Sequence, residues 1–203
     1  MFVIGDIHGQ IDHLTKLLDK ISPKLNDVLI FVGDYIDRGK DPKAVVNTII
    51  NLKKHCKVIA LMGNHEAMLL DYLNNPQKDS DYLLPCNGAN KTSLSYKGGI
   101  PQEHLDFFSN LVTCYENKEY FIVHAGVPDK PLEEINEDDM DDLLWVRDSF
   151  LNSNYKWDKI IVHGHTPIKK VFISDKRINV DTGCVFGGKL SAIELPSLKI
   201  FQS

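Results

Sequence analysis

Two carboxylates and a guanidinium, those of Asp34, Asp37 and Arg38, fall within Gly33-Asp34-Tyr35-Ile36-Asp37-Arg38-Gly39, directly after the apolar run Val28-Leu29-Ile30-Phe31-Val32. Such a run reads as a buried strand, and its C-terminal end is the edge of an α/β sheet where ligands and reactive groups collect. A carboxylate placed there is costly unless something neutralises it, so partners are expected elsewhere in the chain. Other apolar runs end in the same way: Gly5-Asp6-Ile7-His8-Gly9, Gly63-Asn64-His65-Glu66, His124-Ala125-Gly126 and His163-Gly164-His165-Thr166. Together they offer Asp6, His8, Asp34, Asn64, His124 and His165 as oxygen and nitrogen donors, with no thiolate among them. That mixture suits Mn²⁺, Fe or Zn²⁺, and it is too large for one ion but about right for two sharing Asp34. Two neighbouring divalent ions clamp a phosphoryl group and lower the pKa of water to yield a hydroxide nucleophile, so the chemistry implied is phosphoester hydrolysis.

The elements that must carry these groups follow from periodicity. Residues 2–4, 28–32 and 57–62 read as strands, each ending in a polar cluster. Between them, Ile11, Leu14, Leu17, Leu18 and Ile21 keep a helical period, and Asp41-Pro42 supplies an N-cap and first-turn proline for a helix with Val45, Val46, Ile49 and Ile50 inside. A third helix is expected to run through Met68, Leu69 and Leu70. Residues 74–99, rich in Asn, Asp, Gly, Ser and Pro, predict long surface loops with one turn of helix near 92–96, and a mobile lid or rim. After a helix beginning at Pro101, with Leu105, Phe108 and Leu111 inside, the chain turns to strands: hairpins at 112–123 and 171–180, and strands at 159–162, 189–195 and 198–201. A βαβ half followed by a mostly antiparallel half predicts an α/β architecture of two packed sheets with helices outside.

At 203 residues the chain can bury one sizeable core, and a single domain over 1–203 is expected. A net charge of −5 offers no field to gather nucleic acid. No basic segment followed by a long apolar stretch opens the chain and no run reaches spanning length, so neither a membrane nor a nucleic acid is an expected partner and the cytoplasm is the expected location. Cys56, Cys86, Cys114 and Cys184 lie far apart and read as buried free thiols. No Gly-x-Gly-x-x-Gly dinucleotide fingerprint follows a strand. His13, His55 and His104 carry no motif and read as surface or structural, and His163 as a packing residue. Glu66 and Asp181 are expected to orient loops, and the acidic run from Glu133 to Asp142 to form a solvated face.

The blocks Gly-Asp-x-His-Gly, Gly-Asp-x-x-Asp-Arg-Gly and Gly-Asn-His-Glu, in that order, resemble those of the phosphoprotein phosphatase branch of the metallophosphoesterases. His124-Ala125-Gly126, Leu144-Trp145-Val146-Arg147, Gly164-His165-Thr166-Pro167 and Asp181-Thr182-Gly183 extend the likeness over nearly the whole chain, most closely to compact bacterial and phage serine/threonine phosphatases. The resemblance implies two packed mixed β-sheets flanked by α-helices, the calcineurin-like metallophosphoesterase fold, and a centre of two divalent ions, Mn²⁺ first. It implies that Asp34 bridges the ions, that Asp6 and His8 complete one ligand set, and that Asn64, His124 and His165 complete the other. Arg38 and Arg147 would hold phosphate oxygens, which their planar forks suit. His65, oriented by Asp37, would be the general acid. A phosphorylated protein or peptide is then the expected substrate, with small phosphoesters also accepted. Retention of Asp37-Arg38-Gly39 and Glu66 favours this over a dinucleoside-polyphosphate hydrolase, the alternative on the same metal site. An inactive phospho-ligand binding module ranks below both, because every expected ligand is present.

Overall fold

In the computed structural model, residues 1–77 and 80–203 are described; Lys78 and Asp79, inside the stretch expected to be loops, lie outside the described residues. The chain begins with β1 (Phe2–Ile4), α1 (Ile11–Ile21), β2 (Val28–Phe31), α2 (Pro42–Leu52) and β3 (Lys57–Ala60). The three strands pair in parallel, Val3 opposite Ile30 and Ile30 opposite Ile59, with the helices as crossovers. Leu14, Leu17 and Ile21 of α1 are buried, and Ser22 ends the helix in a left-handed conformation. Asp41 caps α2 by accepting from the Ala44 N–H, with Pro42 in its first turn.

Later elements are α3 (Asn64–Asn74), α4 (Ala89–Ser95), α5 (Gln102–Ser109), β4 (Cys114–Glu116), β5 (Tyr120–Val123), α6 (Met140–Trp145), α7 (Asp148–Leu151), β6 (Ile160–His163), β7 (Phe172–Ile173), β8 (Arg177–Asn179), β9 (Ser191–Glu194) and β10 (Lys199–Gln202). They complete two five-stranded sheets, ordered β10-β9-β1-β2-β3 and β4-β5-β6-β8-β7. Two mixed sheets with flanking helices match the expected fold class. The second half is mostly antiparallel as expected, in the pairs β4-β5, β7-β8, β9-β10 and β1-β9, but β5-β6 and β6-β8, at the centre of the second sheet, are parallel. The chain also returns at its end to the first sheet, where β9 pairs antiparallel with β1.

The pleat explains why the strand sequences are apolar throughout. Phe2, Ile4, Leu29 and Phe31 face the helices, while Val3, Ile30 and Val32, with Ile193 of β9 beside them, face the other sheet, where they meet Ile122, Val162 and Ile178. On β6, Val162 joins this inter-sheet core and Ile161 packs with Phe150 and Leu143 on the outer face. Both faces are covered, so alternation disappears from the sequence.

The stretch expected to be loops is more ordered than its composition suggests: α4 and two 3-10 turns, Asp81–Leu83 and Pro85–Asn87, occupy much of it. Tyr82, Ala89 and Tyr96 are buried there and Thr92 is buried beside the site, so tertiary contacts override a loop-like composition. Cys56 and Cys184 are buried as expected, but Cys114 is only partly buried and Cys86 is exposed. No helix is long and apolar enough to cross a membrane among the described residues. Ile30 is fully buried between the sheets, so truncating it would leave a cavity there. Ile30→Ala is expected to lose about 2–5 kcal/mol of stability by urea denaturation.

Candidate metal centre

The polar groups sit on loops leaving β1, β2, β3, β5 and β6, and short backbone hydrogen bonds tie those loops together. The Ile7 and His8 N–H groups both donate to the Asp34 carbonyl, at 3.1 and 2.8 Å, and the Gly164 N–H donates to the His124 carbonyl at 2.8 Å. Glu66, in the first turn of α3, grips the loop after β2. One carboxylate oxygen accepts from the Tyr35 and Ile36 N–H groups at 2.8 and 3.2 Å, the other from Asp34 and Gly63 at 2.9 and 3.2 Å. Gly63 is required at its position because a Cβ there would collide with the Asp34 carboxylate. Positive φ falls on His8 (46°), Asp34 (52°), Asp37 (67°), Arg38 (64°) and His165 (61°), a conformation unfavourable for residues with a Cβ. Strain of that kind costs on the order of 1–3 kcal/mol per residue and persists only where surrounding bonds impose it.

These loops bring every expected site residue together. His8 Nδ1 lies 2.8 Å from the Ile36 carbonyl and donates there, leaving Nε2 to face Asp34 Oδ2 at 3.3 Å. His124 repeats the arrangement, with Nδ1 donating to the Val32 carbonyl at 3.0 Å and Nε2 facing Asn64 Oδ1 at 2.9 Å and Asp34 Oδ1 at 3.6 Å. His165 turns Nδ1 to the same Asn64 oxygen at 3.1 Å, and its N–H donates to Asp6 at 3.1 Å. Arg38 donates to His8 Nε2 at 2.7 Å and Arg147 to His165 Nε2 at 3.1 Å. Both arginines line a cleft of about 220 Å³ with Asp6, His8, His165 and Asp181.

Asp34 is common to two groups whose candidate ligand atoms lie within 4.8 Å of one another: His8, Asp34 and His65, and Asp34, His124 and His165. The first differs from expectation in including His65, whose Nε2 stands 4.0 Å from Asp34 Oδ2, where the sequence reading placed Asp6. Asp6 nevertheless points into the same cleft.

The donor set fits cations. His124 keeps its proton on the side of the Val32 carbonyl, so its Nε2 lone pair meets oxygen lone pairs with no proton between them. Burial holds His124 below the usual imidazole range and, aided by His124 itself, brings His165 down to about 3, so both rings stay neutral and able to ligate. Burial and then Asp181 and Asp34 push Asp6 well above the usual carboxylate range. Burial likewise brings Asp181 to about 6 and, with Asp34 adding to it, Glu66 to about 8. Burial opposes ionisation of Asp34 too, but His124, His65 and His8 outweigh it and hold this carboxyl well below its ordinary value. Several buried carboxyl groups whose ionisation burial and mutual repulsion oppose are what bound divalent charge would balance.

A supporting layer completes the site. Asp37, wholly buried, accepts from His65 Nδ1 at 2.6 Å, from the Thr92 hydroxyl at 2.5 Å and from the Tyr82 hydroxyl at 3.2 Å. Arg38 lies over the Phe186 ring at 5.6 Å. Tyr82, Thr92 and Phe186 escaped the sequence reading, since none lies in a polar strand end and the first two fall in the loop-like stretch. Glu66 and Asp181, which accepts from the Gly183 N–H at 2.9 Å, do hold loops as expected. His163 is buried with its ring edge-on to Phe150 at 5.0 Å, a packing residue, and burial takes it down to about 3. His104 is buried between the Tyr96 hydroxyl and Asn47, at 2.7 and 2.8 Å.

The profile of the calcineurin-like phosphoesterase family matches residues 1–197. The chain belongs to that family. It is therefore a metallophosphoesterase, of a dinuclear metal-dependent kind. Among its relatives is an asymmetrical bis(5'-nucleosyl)-tetraphosphatase PrpE of Oceanobacillus iheyensis, 28% identical over 220 residues and covering 96% of this chain and 88% of that protein. The protein of the same name from Bacillus subtilis is 26% identical over 223 residues, covering 97% and 91%. A crystal structure of a protein provisionally assigned as a diadenosine tetraphosphatase superimposes with a TM-score of 0.75 at 25% identity, over 100% of this chain and 91% of that one. A cold-active protein-tyrosine phosphatase from Shewanella shares the fold at a TM-score of 0.66 and 19% identity, over 96% of this metallophosphoesterase and 75% of that chain.

Glu66→Gln would replace an acceptor oxygen by an amide donor facing backbone N–H groups. Each N–H left without a partner costs roughly 1–3 kcal/mol. The variant is expected to unfold at lower urea than wild type in metal-free buffer and, by elemental analysis, to retain less metal.

Proposed function

We propose that this metallophosphoesterase hydrolyses bis(5'-nucleosyl) tetraphosphates asymmetrically, releasing a nucleoside triphosphate and a nucleoside monophosphate. The observation that carries the hydrolytic half of this reading is the Asp34 carboxylate, with one oxygen turned to His8 and His65 and the other to His124. The substrate half is supported by relatives of that name that match almost the full chain at 26–28% identity. Asp6, His8 and Asp34 would hold one divalent ion, and Asp34, Asn64, His124 and His165 the other, with Mn²⁺ the first candidate. Bound there, the ions would supply Lewis acidity and a water of lowered pKa.

The remaining steps belong to the chain's own side chains. The Arg38 and Arg147 guanidiniums, at the mouth of the same cleft, would bind phosphate oxygens and hold the tetraphosphate in line. Asp37 fixes the His65 ring by the 2.6 Å contact at Nδ1, so the free Nε2 faces the reaction side and would deliver a proton to the leaving oxygen. A nucleotide phosphate is a weaker base than a serine alkoxide and leaves more readily, so that proton matters less for a dinucleotide than for a phosphoprotein.

The expectation of a protein phosphatase rested on Asp37-Arg38-Gly39 and Glu66. Glu66 is spent on backbone N–H groups and Asp37 on His65, Thr92 and Tyr82. Both are buried supports of the site, and their presence reports on the loops rather than on the substrate. Only Arg38 of that set reaches the cleft.

One preparation loaded with Mn²⁺ should be offered diadenosine tetraphosphate and phosphoserine and phosphotyrosine peptides. The dinucleotide is expected to be turned over with the highest kcat/KM, giving ATP and AMP in equal amounts by chromatography; two ADP, or a preference for phosphopeptide, would sink the substrate assignment. Chelation should abolish turnover and Mn²⁺ restore it, and full activity in thoroughly demetallated protein would remove the metal mechanism. On any residual phosphoserine turnover, His65→Asn is expected to lose on the order of 10²–10⁴ in kcat. Its loss on the dinucleotide should be smaller, with metal content preserved, and equal losses would assign His65 to positioning instead of proton delivery.

A further inference from the structure

Phe186 stands at the mouth of the phosphate cleft with 66% of its surface exposed. A single exposed phenylalanine on a surface needs no explanation, but this one is held in place. Its 3-10 turn, Cys184–Phe186, lies between Gly183 and Gly187, both left-handed, at φ 65° and 90°. Inside the turn the Phe186 N–H donates to the Gly183 carbonyl at 2.9 Å, and the Gly188 N–H donates to the same carbonyl at 2.9 Å. Buried Cys184 roots the turn in the core, and Asp181 holds the residue just before it through the Gly183 N–H. The ring is thus presented on a rigid support, so a flat ligand stacking on it loses little to ordering of the protein.

One side of the ring is engaged by the Arg38 guanidinium, 5.6 Å from its centroid. The same guanidinium reaches the metal centre, where Nη1 is 2.7 Å from His8 Nε2. Arg38 therefore spans from the place where phosphate is processed to an exposed aromatic face, a separation that a ribose bridges in a nucleotide. Van der Waals support of Arg38 would need only the face already used, and burying the ring would serve that end better. The exposed remainder suits an aromatic ligand attached to a phosphate.

We propose that Phe186 is a specificity residue of this enzyme: its exposed face, backed by Arg38, stacks the nucleobase joined to the phosphate held in the cleft. The inference rests on the dinucleotide reading for its substrate but concerns nucleotide recognition alone, and binding tests it separately from turnover. AMP and ribose 5-phosphate carry the same sugar and phosphate and differ in the base. Calorimetric titration of the Mn²⁺-loaded protein should give AMP the lower Kd by about tenfold, the scale of base–aromatic stacking. Phe186→Leu keeps apolar bulk against Arg38 but removes the π-face, and should bring the two Kd values within about twofold. Phe186→Trp should restore or widen the gap. Equal Kd values in wild type, or a preference for AMP that survives Phe186→Leu, would overturn the assignment. If wild type prefers AMP and Phe186→Leu abolishes that preference, the platform stands even where diadenosine tetraphosphate is not turned over, and only the proposed function falls.

Discussion

One carboxylate facing three imidazoles holds this site together. Asp34 is buried, which disfavours its charge; His124, His65 and His8 around it outweigh that tendency and hold the carboxyl well below its ordinary range. Its place is not left to its own side chain. The loop is clamped by Glu66, whose two oxygens accept four backbone N–H groups, and its carbonyl receives two more from the loop after β1. A carboxylate shared between two groups of nitrogen donors would give two ions a common ligand, and the rest of the constellation is arranged about it.

The arrangement is internally costly. Five site residues adopt positive φ, and Asp6, Asp34, Asp181 and Glu66 are carboxylates buried in one neighbourhood. Strain and like-charge repulsion of this kind lower stability, and the inter-sheet core from Val3, Ile30, Val162 and Ile178 offsets them. Cations relieve the repulsion directly. Folding of the loops and occupancy by metal are therefore linked, since the buried carboxylates are better tolerated when divalent charge is bound.

Substrate preference lies outside this machinery. Residues that cradle metals and phosphate serve any phosphoester, so the motifs identify the reaction class more firmly than the molecule being cut. Asp37 and Glu66 illustrate the point, as each is fully buried and occupied with hydrogen bonds that any substrate would leave untouched. Discrimination would fall to groups at the mouth, where Phe186 is exposed beside Arg38.

The strands and helices of the first half, the candidate ligands and the two-metal chemistry were legible in the sequence, because a buried strand must be apolar and a reactive carboxylate needs partners of few kinds. The same local logic placed Asp41 and Pro42 at the start of α2 and marked Glu66 as a loop holder. Three things depended on contacts distant in the chain. The parallel pairing of β5, β6 and β8, and the return of β9 to β1, follow from which surfaces cover one another, and apolar runs buried on both faces look alike whatever their partners. The ordered stretch around α4 escaped because its polar composition mimics a loop, while Tyr82 and Thr92 are buried by hydrogen bonding to Asp37, 45 and 55 residues away. Grouping around Asp34 was likewise tertiary: the packed loops bring His65, read from sequence as the acid, close enough to Asp34 to group with His8, while Asp6 faces the same cleft. Residue type and spacing state which groups are able to react, whereas distance between loops from separate strands is set by the packing of the whole chain.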